Sequence, residues 1–166
     1  MTALVALLAL SGCTADAFSR LTPAEPESRG SGELAAELLG ALHERGTQAT
    51  ERASARIGGT DHAAVLITDG DRHGMVEIRR GALGQGDPGC ARPRPCRTAK
   101  VNDKDVVIVE TPDSVTVEVY WPDKALNGSL TAATSTSRFW SGGPPLARVP
   151  LDPFAAAALA ADLTRY

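Results

Sequence analysis

The sequence predicts an α+β domain: an antiparallel sheet of about five strands with an N-terminal and a C-terminal helix on one face. Three observations carry that reading. Leucines at helical spacing stand near the front, at Leu34, Leu38, Leu39 and Leu42. Runs with a period of two fill the middle, from Ala63 onward. A helix start, Asp152-Pro153, closes the chain. Helices outside a block of strands, rather than between them, favour antiparallel pairing with the helices segregated to one face. A β-sandwich is the alternative.

In order, Ser31 is the expected cap of the first helix, and Gly46 ends it. Residues 47–60 are ambiguous, with a short strand near Ala53 to Ile57. Ala63 to Thr68 is apolar enough for a central strand. Asp69-Gly70-Asp71-Arg72-His73-Gly74 is turn chemistry, and Met75 to Arg80 returns as the second arm of a hairpin. Residues 81–96 read as loop, with Gly84, Gly86 and Gly89 among Pro88, Pro93 and Pro95. Thr98 to Val101 is a short strand, and Asn102-Asp103-Lys104-Asp105 turns the chain. Val106 to Val109 is continuously apolar, as expected of a strand covered on both faces. Val115, Val117, Val119 and Trp121 alternate with Ser114, Thr116, Glu118 and Tyr120, a half-buried strand. Leu130 to Ser137, small and Thr-rich, reads as an edge strand. Residues 139–151 are a Gly/Pro linker. In the last helix Phe154, Ala158, Leu159 and Leu163 share the face expected to cover the sheet.

Ahead of all this, Thr2 to Leu10 is uncharged and rich in Ala and Leu, and it stops at Ser11-Gly12-Cys13. The run is far short of the roughly 20 apolar residues of a spanning helix. It resembles the signal peptide and lipobox of bacterial lipoproteins. That resemblance implies diacylglycerol on the Cys13 sulfur and cleavage before Cys13, leaving about 154 residues. At about 0.8 kcal/mol per buried methylene, two or three acyl chains hold a protein on a membrane. No Lys or Arg precedes the run, so the expectation is a start further upstream or a weak leader. The organisation is then signal peptide 1–12, flexible tether 13–32 carrying Pro23, Pro26 and Gly30, and one extracytoplasmic domain over 33–166.

Composition narrows the function classes. A net charge of −3 and a pI near 5.6 argue against a general nucleic-acid binder. Of three cysteines, Cys13 is assigned to lipid, and Cys90 and Cys96 remain as an even pair in an oxidising compartment, which reads as a disulfide. A ring this short stabilises by roughly 2 kcal/mol in the chain-entropy model, and by less where prolines already stiffen it. A redox pair would more often be Cys-x-x-Cys. A metal site would need further ligands, and His43, His62 and His73 are not at ligand spacing. No metal or other cofactor is expected.

Arg79, Arg80, Arg92, Arg94, Arg97 and Lys100 flank the ring, opposed locally by Asp87. They suggest a patch for anionic headgroups, envelope polymers or an acidic partner, although a solvated loop is the plainer explanation. Asp69 with Asp71, and Asp103 with Asp105, lack the later glycine and glutamate of a calcium loop and read as turn formers. Trp121 and Trp140 read as a core residue and a loop anchor rather than a ligand groove. No Gly-x-Ser-x-Gly, His-Glu-x-x-His, P-loop or dinucleotide fingerprint occurs.

Several stretches resemble secreted proteins and lipoproteins of actinomycetes: Leu38-Leu39-Gly40-Ala41-Leu42, Ala64-Val65-Leu66-Ile67-Thr68-Asp69-Gly70 with Gly74-Met75-Val76-Glu77-Ile78, and the paired cysteines. Val115 to Trp121 followed by Pro122-Asp123, and Arg148-Val149-Pro150-Leu151, belong to the same pattern. The resemblance spans most of residues 34–166 and brings no activity with it. Ser114 and Lys124 stand where that pattern has an Asp-Gly turn. The expected function is therefore a non-enzymatic, lipid-anchored surface module on the extracytoplasmic side of the cell membrane. Its partner would be an envelope protein or an anionic polymer. The alternatives are an envelope hydrolase, using His62 or His73 as its base, and a lipid carrier.

Overall fold

The computed structural model describes residues 29–81, 90, 95–121, 126–136, 139–140 and 142–164. The lipobox with Cys13, most of the expected tether, and Arg92 and Arg94 lie outside the described residues. Helix α1 runs Arg29–Glu44 and helix α2 Pro153–Leu163. Between them are β1 (Ala49–Ile57), β2 (Thr60–Asp69), β3 (Arg72–Gly81), β4 (Cys96–Val101), β5 (Lys104–Thr111), β6 (Ser114–Trp121) and β7 (Leu126–Ala133). The fold is α+β, with seven strands in one antiparallel sheet rather than about five, in the order β1-β2-β3-β7-β6-β5-β4. One sheet also sets the sandwich aside.

Tight turns set the register. At the β4–β5 hairpin Asn102 and Asp103 take φ of +48° and +62°, the mirror-image turn whose twist matches that of the strands. Short polar side chains tolerate that conformation best, which is why Asn-Asp stands there. The β2–β3 hairpin closes on Asp69 opposite Arg72, confirming the pairing expected from the sequence.

The core lies on the helix-bearing face. Leu34, Leu38 and Leu42 of α1 meet Ala63, Val65 and Ile67 of β2 and Val76 and Ile78 of β3. Ala156, Ala157, Leu159 and Ala160 of α2 pack with Val106, Ile108, Val115, Val117 and Val119 in the same cluster. At roughly 25 cal/mol per Å² of apolar surface removed from water, this layer holds the fold together.

Four expectations are corrected. First, α1 begins at Arg29, so residues 29–32 are its opening turn and not tether, and Ser31 is fully buried inside the helix rather than capping it. Second, the ambiguous stretch after α1 forms β1 over nine residues. It is an edge strand with few buried side chains, so it carries little hydrophobic pattern. Third, the strand read as an edge, β7, lies mid-sheet between β3 and β6, with Leu130 and Ala132 fully buried. Small residues there let α2 approach: a Cβ on Gly128 would collide with the side chain of Thr164, just after the helix. Fourth, Phe154 is 68% exposed, and the buried side of α2 is built from Ala156, Ala157, Leu159, Ala160 and Ala161.

The start of α2 is as expected. The carboxylate of Asp152 accepts hydrogen bonds from the backbone N–H of Phe154 and Ala155 at 2.9 and 3.0 Å, with Pro153 next. Asp152→Ala should therefore lower stability by about 1 kcal/mol, read from a denaturant midpoint with unchanged m-value. An Asp152→Asn variant should lose much less.

Candidate functional site

The tight β2–β3 turn places His62 opposite Arg79 and Ala64 opposite Glu77. Strand side chains alternate, so these four share the face turned away from Val65, Val76 and Ile78, and hence away from both helices. On that face the diagonal neighbours His62 and Glu77 are close enough to bond. His62 Nδ1 lies 3.2 Å from Glu77 Oε1. Arg79 clasps the same carboxylate twice, Nε to Oε1 at 3.1 Å and Nη2 to Oε2 at 3.2 Å.

An ionised carboxylate only accepts, so His62 Nδ1 carries a proton in this pair. Burial pushes the Glu77 carboxyl up, but hydrogen bonds from His62 and Arg79, reinforced by their charges, outweigh it and hold it down at about 2. Glu77 is 3% exposed and His62 7%, while the Arg79 side chain is 43% exposed. The anion is thus fixed inside and the cation stands at the rim. Two of the five guanidinium N–H donors point at Glu77, and Nη1 lies outside that clasp.

The polar row continues across the sheet. Thr131 of β7 pairs with Glu77, and Ser129 with Arg79. Thr116 of β6 pairs with Thr131, their hydroxyls 3.2 Å apart, and Glu118 pairs with Ser129. At the β1 side the Trp140 indole donates to Glu51 Oε2 at 3.1 Å, which makes it the loop anchor expected. No family model, curated protein or solved structure matches the chain. What this site does must therefore be argued from its own chemistry.

Of the arginines expected to form one patch, the described ones, Arg79, Arg80 and Arg97, are not brought together. Arg80 is adjacent to Arg79 and so faces the helix side, where its Nη2 donates to the Gly30 carbonyl at 3.4 Å. Arg97 lies on β4, at the far edge of the sheet, paired with Glu110 at 2.9 Å and 5.2 Å above the ring of Phe154. Among the described arginines, Arg79 alone joins the His62–Glu77 cluster. Cys90 and Cys96 are bonded, S–S 2.04 Å. His73 is held by its backbone, N–H to the Pro144 carbonyl at 2.8 Å, and His43 Nε2 lies 2.9 Å from the Ala49 carbonyl oxygen.

Glu77 was not singled out from the sequence. The available signal was Glu77 and Arg79 at alternate positions of β3, with His62 just ahead of the apolar run opposite. Chemically the cluster offers a fixed guanidinium at a rim of hydroxyls, suited to oxygen acceptors. It also offers an imidazole oriented by a carboxylate.

Proposed function

We propose that the protein is a membrane-anchored surface lipoprotein, a non-enzymatic binding module whose helix-free sheet face meets another envelope protein or an anionic envelope polymer. The observation that carries this reading is Arg79. Its guanidinium is immobilised by Glu77 yet reaches the surface, so little side-chain entropy is lost when a partner's carboxylate or phosphate oxygens dock. The lipobox resemblance at Cys13 supports the anchoring, and the Cys90–Cys96 bond is consistent with an oxidising compartment.

Retention of the purified protein on isolated cell envelopes tests the reading. Arg79→Gln should lower retention about tenfold, while Arg52→Gln on the exposed β1 edge should leave it unchanged. Equal retention of Arg79→Gln and wild type would reject the face.

One observation favours a second reading, an envelope hydrolase. A histidine with Nδ1 on a carboxylate is the base-and-orienter half of a catalytic triad. The double clasp of Arg79 on that carboxylate speaks for a structural ion cluster instead. Labelling by a fluorophosphonate that disappears in His62→Ala would establish the hydrolase. A lipid carrier finds no support among the described residues: the space between sheet and helices is taken up by Leu34, Leu38, Ile78, Ile108 and Leu130, each at most 1% exposed.

A further inference from the structure

We propose that the cleft where α1 ends beside the end of β2 is a binding site for a small zwitterion with an apolar body, a free α-amino acid. The proposal does not depend on the lipid anchor or on the Arg79 face. The cleft has a volume of about 290 Å³. That is at the lower end of small-molecule sites, which favours a single small metabolite over a peptide of several residues. Its apolar lining comes from Ile67, Leu146, Val149 and Pro150, and its two charges are Asp69 and Arg148. Among the described residues neither charge is engaged in a hydrogen bond or ion pair, so both are available to a ligand.

Groups of both signs line the cleft. α1 closes with Gly46 N–H donating to the His43 carbonyl at 2.9 Å and Thr47 N–H to the Leu42 carbonyl at 3.0 Å, and Gly46 and Thr47 line the cleft. Asp69 brings a full negative charge to the cleft and can pair with an ammonium group. Arg148 lies in the 146–150 segment and can hold a carboxylate through paired N–H donors. The apolar lining suits an aliphatic side chain. That segment is itself fixed, since Leu146 N–H donates to the Thr134 carbonyl at 2.8 Å and the Arg72 guanidinium to the Pro145 carbonyl at 3.0 Å.

Titration of the isotope-labelled, unlipidated full chain (Cys13→Ser) with three probes tests the site by NMR. L-leucine carries both charges, N-acetyl-L-leucine lacks the ammonium, and L-leucinamide lacks the carboxylate. Leucine should shift the amides of Thr47, Ile67, Ala147 and Val149 saturably, and each blocked analogue should bind at least about tenfold more weakly. Asp69→Asn should weaken leucine and leucinamide but not N-acetyl-leucine, and Arg148→Gln should do the reverse. Both are surface substitutions, so an unchanged spectrum elsewhere reports an intact fold. Absence of saturable shifts with leucine would overturn the proposal, as would equal affinity for all three probes. Leucinamide binding as tightly as leucine would also overturn it, because the occupant would then be an amino terminus rather than a zwitterion.

Discussion

Glu77→Gln should destabilise the protein by about 2–3 kcal/mol at pH 7 and by almost nothing near pH 2. The figure follows from a carboxyl held at about 2 against an ordinary value of 4.5. A carboxyl depressed in the folded state contributes its full stability above the unfolded value and loses it as pH falls through the folded one. The wild-type unfolding free energy should therefore decline between about pH 4.5 and pH 2 by an amount that the glutamine variant does not show. Arg79→Gln removes one of the two opposing cations, so it should move the same limb to higher pH. Urea titrations across that range, for the three proteins, check both statements. Parallel pH profiles for wild type and Glu77→Gln would mean that the clasp contributes nothing.

A comparable loss is expected from adding a single carbon at Gly74. A Cβ there would lie 2.6 Å from the backbone oxygen of Ala133 on the neighbouring β7, and would press into the side chain of Leu146. A side chain can turn aside, but a paired strand cannot, so Gly74→Ala should cost about 3 kcal/mol. Gly70→Ala is the informative comparison. Gly70 sits at φ +61° with open space beside it, and its loss should cost about 1 kcal/mol from backbone strain alone. Adding Leu146→Ala to Gly74→Ala should recover little, since the carbonyl stays and a cavity opens. Full recovery in the double variant would place the collision on Leu146 and not on the sheet.

Much of the architecture was legible in the sequence because the signals were strong and local. The leucines of α1 recur at the helical period, Asp152-Pro153 begins α2, β2 is a continuous apolar run bounded by turn residues, and β6 alternates as a half-buried strand does. What was missed needs information that a single stretch does not hold. β7 is small because α2 lies against it, yet small and Thr-rich segments also make edges, so its central place follows only from pairing with β3 and β6. The inner side of α2 is mostly alanine, which gives no contrast with the outer side, so the spacing of Phe154 with Ala158, Leu159 and Leu163 points to the wrong face. β1 exposes most of its side chains, so it shows neither period clearly. The His62–Glu77–Arg79 cluster depends on strand register, which places residues 15 apart on one diagonal. The arginines illustrate the converse: closeness in sequence suggested a patch, but consecutive strand residues point to opposite faces and Arg97 enters on the far edge.

The lipid anchor in the proposed envelope-facing module stands on Cys13, and metabolic labelling with palmitate reaches it most directly. The protein should incorporate label and sediment with membranes. Cys13→Ala should incorporate none and should leave the membrane fraction, and globomycin should block cleavage of the leader in the wild type. Wild-type protein that carries no palmitate, with a membrane distribution unchanged by Cys13→Ala, would contradict the account.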